Sequence, residues 1–161
     1  MEVFGIIGAG IMGSDIAQLA AEKGFQVMLY DIDEIKLRNS FEMIRDRLNR
    51  YVREQKLEQN RVGEIISHIR LHKNLKDFVN ADIVLECAPE NLEAKGEIFH
   101  KLDSICKGGT ILATNTSSLP ITVLASYTKR PESVIGLHFL NPVRAMRLVV
   151  IICGMATTRE T

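Results

Sequence analysis

The segment Gly8-Ala9-Gly10-Ile11-Met12-Gly13 restricts this chain more than any other stretch of it. It follows an apolar run, Val3 to Ile7, and opens a segment of helical character from Ile11 to Lys23 that Gly24 stops. Glycines in a strand-to-helix turn have three separate uses. The first permits the tight turn, the second lets a ligand approach the backbone, and the third lets helix and strand pack closely. The helix after the turn offers free N–H groups and a partial positive charge, a combination that suits phosphate. The next run, Gln26 to Tyr30, is short, rich in β-formers and closed by Asp31, so the first thirty-odd residues read as a strand, helix, strand unit.

Asp31 lies eighteen residues after Gly13. At the end of a second strand its carboxylate can accept hydrogen bonds from both hydroxyls of an adenosine ribose, and it repels a 2′-phosphate. Glycine turn and acid together point to a dinucleotide, and to NAD rather than NADP. Asp15, in the first turn of the helix, is expected to compete with a pyrophosphate for the same N–H groups and so to weaken binding.

Beyond Asp31 the apolar residues Leu37, Phe41, Ile44, Leu48 and Tyr51 recur at helical steps, within a proline-free stretch from Asp33 to about Arg70. This predicts a long amphipathic helix and a second helix from about Gln59 to Ile69, paired as a hairpin. Strands are expected at Asp82–Glu86, Thr110–Ala113 and Val134–His138, with a last extended run at Arg147–Ile152; helices fall at Leu92–Cys106 and Ile121–Ala125. Strands alternating with helices predict an α/β fold: a doubly wound, mostly parallel sheet of the Rossmann type, with the long helical hairpin inserted. With 161 residues and no linker, the chain reads as one domain.

Composition removes several classes of function. Lys+Arg and Asp+Glu number 20 each, so no overall basic field draws the chain to nucleic acid. The longest apolar stretch, Leu148–Cys153, is far short of the roughly 20 residues that cross a bilayer. With no basic, small-residue leader at the start, a cytoplasmic location is expected. Cys87, Cys106 and Cys153 are odd in number and widely spaced, which fits buried free thiols and neither a disulfide framework nor a metal site.

A second group of polar residues comes after the expected strand ends: Glu90, Lys95, Asn115, Thr116, Ser117, Ser118, His138 and Asn141. In an open parallel sheet a ligand crosses the carboxyl ends of the strands, which is where these residues fall. A histidine and a serine there suit alcohol oxidation, since a neutral imidazole can take the hydroxyl proton near neutral pH. His68, His72 and His100 lie on polar, helix-associated stretches and are expected to be solvated.

The glycine turn, Glu86-Cys-Ala-Pro-Glu90-Asn-Leu with Lys95, Asn115-Thr-Ser-Ser118-Leu, and His138-Phe-Leu-Asn-Pro142 with Met146 and Leu148-Val149 together resemble the N-terminal domain of NAD-dependent 3-hydroxyacyl-CoA dehydrogenases. The resemblance covers the whole chain, and dehydrogenases of the β-hydroxyacid group lack the Asn-Thr-Ser-Ser and His-Phe-x-Asn-Pro blocks. It implies catalytic roles for three residues. His138 is the general base, Ser117 holds the substrate oxygen beside the nicotinamide, and Asn141 shapes the site. It implies NAD contacts from Gly8, Gly10, Ile11, Met12, Gly13, Asp31, Ala88, Pro89, Glu90, Lys95, Asn115 and Ser117, and an acyl-CoA substrate. The excess of Lys and Arg between Lys36 and Arg61 is either an edge for coenzyme A phosphates or a solvated helix face.

The chain departs from the family pattern in two ways. Where the family has a glutamate twelve residues after its histidine, orienting the ring, this chain has Val150, and Arg144 and Cys153 differ nearby. The family also continues into a last helix and strand and then a helical domain carrying most of the dimer contact. That implies an incomplete cofactor domain here, a one-sided cleft, and exposed apolar surface able to drive homo-oligomer formation. Three readings remain open: a 3-hydroxyacyl-CoA dehydrogenase, an NAD-binding module with little chemistry, and another hydroxy-acid dehydrogenase of this fold.

Overall fold

A computed structural model describes residues 2–146 and 148–161. Arg147, the expected start of the last extended run, lies outside the described residues. Seven strands form one sheet: β1 Val3–Ile7, β2 Gln26–Tyr30, β3 Ile69–His72, β4 Ile83–Glu86, β5 Ile111–Thr114, β6 Val134–Phe139 and β7 Val149–Cys153. Five α-helices connect them: α1 Ile11–Glu22, α2 Glu34–Arg53, α3 Gln59–Ser67, α4 Leu92–Ile105 and α5 Ile121–Ala125. The strand order is β3-β2-β1-β4-β5-β6-β7. The first six strands are parallel, and β7 pairs antiparallel with β6. The doubly wound expectation therefore holds, with one reversed edge strand.

Period-two alternation divides the core into two layers, as a sheet covered on both faces requires. Ile6, Leu29, Leu85, Ala113 and Ile135 pack with α1, α2 and α3. Their chain neighbours Ile7, Val84, Leu112 and Val134 face the other side, against Phe78 and Phe99. Side-chain caps start two of the helices. Asp33 accepts from the N–H groups of Ile35 (2.9 Å) and Lys36 (3.1 Å), and Asn91 accepts from Ala94 N–H (2.8 Å).

Three expectations need correction. The helical pattern continues through residue 69 in sequence, but α3 ends at Ser67 and Ile69–His72 is a strand, parallel to β2 with Ile69 opposite Val27. Its four residues alternate apolar and polar, too short a run to be told from a helix tail; pairing with β2 decides it. In consequence His72 is not a solvated helical residue. It sits on this strand with Nδ1 2.9 Å from Asp77 Oδ2, while His68 Nδ1 lies 3.1 Å from the Ala21 carbonyl; His100 is exposed, as expected. The thiols also differ among themselves, since only Cys106 is buried, Cys87 is half-buried and Cys153 is exposed on β7. Burial pushes the Cys106 thiol up to about 11 and the Cys87 thiol higher still. Titrating the native protein with a thiol reagent at neutral pH is expected to modify Cys153 rapidly and the other two only as the protein unfolds. Equal rates for all three would contradict this.

Candidate functional site

Strand register sets the site. Ile7 is paired with both Tyr30 and Glu86, Glu86 with Thr114, and Thr114 with Gly136, so four strands end on one line. One residue further along each strand come Gly8, Asp31, Cys87 and Asn115, and His138 stands two beyond Gly136. The line crosses from β2-β1 to β4-β5, the point at which strand order reverses and α/β sheets hold their ligands.

The glycines divide their work as the sequence implies. Gly8 has φ +104°, and a Cβ on it would lie 2.7 Å from the Cys87 carbonyl oxygen. A Cβ on Gly13 would lie 1.8 Å from the Gly8 carbonyl oxygen, so helix and turn can meet only at glycine. Gly10 differs, because its Cβ would meet nothing nearer than Lys36 Nζ at 4.0 Å. Space is thus kept open over the backbone at the start of α1, which no side chain caps. The first N–H groups of this helix, from Ile11 onward, are left for a ligand. Asp15 does not compete for them, contrary to expectation: its carboxylate pairs with Arg47 of α2.

Asp31 is buried and anchored by its own chain. One carboxylate oxygen accepts from Ala9 N–H (2.8 Å) and lies 2.9 Å from Lys36 Nζ; the other accepts from Asp33 N–H (3.0 Å). Burial alone would raise its pKa, but the Asp33, Lys36 and Ala9 hydrogen bonds outweigh it and hold the group below the usual aspartate value. With Gly8, Ala88 and Pro89 it lines a cleft of about 360 Å³, apolar where Ile7, Tyr30 and Ile98 contribute. Such a slot suits a flat heteroaromatic ring with a diol at its mouth. Glycine turn, uncapped helix and carboxylate together fit NAD.

Met12, Glu90, Asn115, Ser117, His138 and Asn141 line a neighbouring cleft of about 430 Å³. The structure therefore brings the three candidate catalytic residues to one place. Glu90 accepts from the hydroxyls of Thr116 and of Ser118 (2.9 Å). Burial works to raise its pKa, yet these hydroxyls and Lys95 lower it overall. Lys95 itself is not at the surface. It is 1% exposed, with Nζ 2.8 Å from both Glu86 carboxylate oxygens, 3.0 Å from the Ala88 carbonyl and 3.5 Å from Glu90. Its ammonium thus forms a buried ion pair beneath the loop carrying Ala88, Pro89 and Glu90.

A further cleft, of about 750 Å³, was not foreseen. Leu19, Leu57, Ile65 and Met146 form apolar walls, and Lys23, Arg61 and Arg144 supply cations; Phe139 borders this cleft and the His138 cleft alike. Arg144 bonds Glu22 at 2.5 Å and lies 4.3 Å from the centre of the Tyr51 ring. Glu22 and Arg144 stand 122 positions apart, so no local signal could reveal them. Along α2 and α3 the basic residues pair largely with local acids, Arg38 with Glu34, Arg45 with Glu42 and Arg61 with Glu64, which favours the solvated-face reading for those positions. Among the described residues no cluster of His, Cys, Asp and Glu is arranged to hold a metal ion, and no helix is long and apolar enough to cross a membrane.

Comparison with known proteins agrees with this geometry. Residues 3–161 match the family model described as 3-hydroxyacyl-CoA dehydrogenase, NAD binding domain. A protein of Bacillus subtilis named probable 3-hydroxybutyryl-CoA dehydrogenase is 46% identical over 156 residues, 97% of this chain and 54% of the relative. The 3-hydroxybutyryl-CoA dehydrogenase of Clostridioides difficile is 40% identical over 97% of this chain and 56% of its own length. The chain thus spans about half the length of these relatives. Among solved structures, 3-hydroxybutyryl-CoA dehydrogenase from Escherichia coli superposes with a TM-score of 0.96 at 40% identity, covering 99% of this chain and 34% of that one. The chain belongs to the 3-hydroxyacyl-CoA dehydrogenase family, of which it is the NAD-binding domain.

Proposed function

We propose that this chain is the cofactor-binding part of a dehydrogenase that oxidises a (3S)-3-hydroxyacyl-CoA to the 3-ketoacyl-CoA, or runs the reverse reduction of acetoacetyl-CoA, in the fatty-acid and butanoate metabolism of the cytoplasm. The observation that carries the reading is the gathering of His138, Ser117, Asn115 and Asn141 in one cleft beside the glycine turn. NAD, when bound, supplies the hydride acceptor. His138 takes the 3-hydroxyl proton on a ring nitrogen as the C3–H bond breaks and the C3–O double bond forms. The Ser117 hydroxyl holds the substrate oxygen, and Asn141 closes the same wall. The larger cleft, with apolar walls beside Lys23 and the Arg144–Glu22 pair, has room for an acyl-pantetheine chain.

Val150 weighs against full activity. It is paired with His138 across β6 and β7, so the two side chains leave the sheet on the same face, and valine offers no negative charge to an imidazolium. This favours a second reading, an NAD-binding module with little turnover.

NADH titration separates the readings from failure of both. Binding is expected, and Asp31→Ala is expected to weaken it at least about tenfold, because two charge-assisted hydrogen bonds to the ribose are lost, while narrowing the preference over NADPH. No NADH binding near millimolar concentration would end the cofactor assignment. Steady-state reduction of acetoacetyl-CoA is expected well below about 10 per second; a rate at that ordinary level would remove the case for the module.

A further inference from the structure

We propose that Asn115 is the positioning residue for His138, its backbone carbonyl fixing the imidazole in the Nδ1–H tautomer and leaving Nε2 free to accept a proton. The geometry stands by itself; its catalytic consequence rests on the dehydrogenase reading above.

His138 Nδ1 lies 3.2 Å from the Asn115 carbonyl oxygen. A carbonyl has no proton to give, so the ring nitrogen must be the donor, and the proton must sit on Nδ1. Asn115 is itself held at two further points. Its N–H donates to the Glu86 carbonyl (2.9 Å), and its side-chain Oδ1 accepts from Phe139 N–H (2.8 Å). The residue therefore ties the ends of β4, β5 and β6 together. The β5–β6 register stops at Thr114 and Gly136, and one step beyond it a side-chain amide takes over the pairing. That amide fixes the backbone of the residue after His138 while the carbonyl of the same residue holds the ring. On the opposite side of β6, the register partner of His138 is Val150, which has no acceptor to offer.

A carboxylate behind a catalytic histidine does two things: it sets the tautomer and it stabilises the charged ring. In the serine-protease triad a wrong tautomer costs about 10⁴ in kcat. Here the neutral carbonyl performs the first task only. The arrangement gives a histidine whose register partner is a valine a fixed tautomer, with Nε2 able to accept a proton.

The test uses the full chain labelled with ¹⁵N-histidine, without cofactor or substrate. Two-bond nitrogen–proton correlation spectra at about pH 8.5, where an ordinary imidazole is neutral, distinguish the tautomers. The His138 signals, assigned by their loss in His138→Gln, are expected to show predominantly Nδ1–H. Predominance of Nε2–H overturns the proposal. In Asn115→Ala, which removes the hold on Phe139, the population is expected to move at least about threefold toward Nε2–H; an unchanged ratio overturns the positioning role. Loss of the dehydrogenase reading, through absent NADH binding, leaves these spectra unaffected, so the two failures are distinguishable.

Discussion

Replacing Lys95 with methionine is expected to destabilise the protein by about 3–5 kcal/mol, because it removes one partner of a buried ion pair. Methionine keeps much of the volume, so the loss is electrostatic. Glu86 is fully buried, and among the described residues its donors besides Lys95 are the Ala88 N–H (2.5 Å) and the Thr114 hydroxyl (2.7 Å). Neither neutralises a charge. At about 2–4 °C per kcal/mol for a domain of this size, the melting temperature is expected to fall by roughly 6–20 °C. Thermal denaturation measured by circular dichroism reports it. Adding Glu86→Gln should restore most of the stability, because both members of the pair are then neutral. A single variant that loses less than about 1 kcal/mol would mean that the pair is solvated in solution.

His138→Ala is expected to lower kcat for acetoacetyl-CoA reduction by about 10²–10⁴, the usual contribution of a positioned general acid or base. NADH affinity should change less than about threefold, since His138 lines one cleft with Ser117 and Asn141 while Asp31 and Gly8 line another. Stopped-flow or steady-state rates together with a fluorescence titration of NADH report the two quantities separately. Equal loss in affinity and rate would place the histidine among the binding groups. The complementary change, Val150→Glu, puts a carboxylate directly across the ladder from the ring and is expected to raise kcat, because it adds the charge stabilisation that the Asn115 carbonyl lacks.

Much of the site was legible before the fold. The glycine turn lies where β1 meets α1, Asp31 closes β2, and the Asn115–Ser118 block comes directly after β5. All are local features, set within a few residues of a strand end. The burial of Lys95 was not legible, because nothing near it in sequence names its partner. Its burial depends on Glu86 on β4 meeting the first turns of α4. Strand β3 was missed for a related reason: Ile69-Arg-Leu-His becomes a strand only because β2 lies alongside with an open edge.

By itself the sequence determined the rhythm of strands and helices and the glycine turn with the acid that follows it, and it exposed Val150 as a departure. Each is a consequence of short-range rules of backbone conformation, hydrophobic period and charge. The tertiary structure alone decided which groups face which. It put the Asn115 carbonyl behind His138, set Val150 opposite that ring, sealed Lys95 onto Glu86, and closed a cleft between Glu22 and Arg144. These pairings depend on the register of strands and the docking of helices across many residues, which no local pattern encodes.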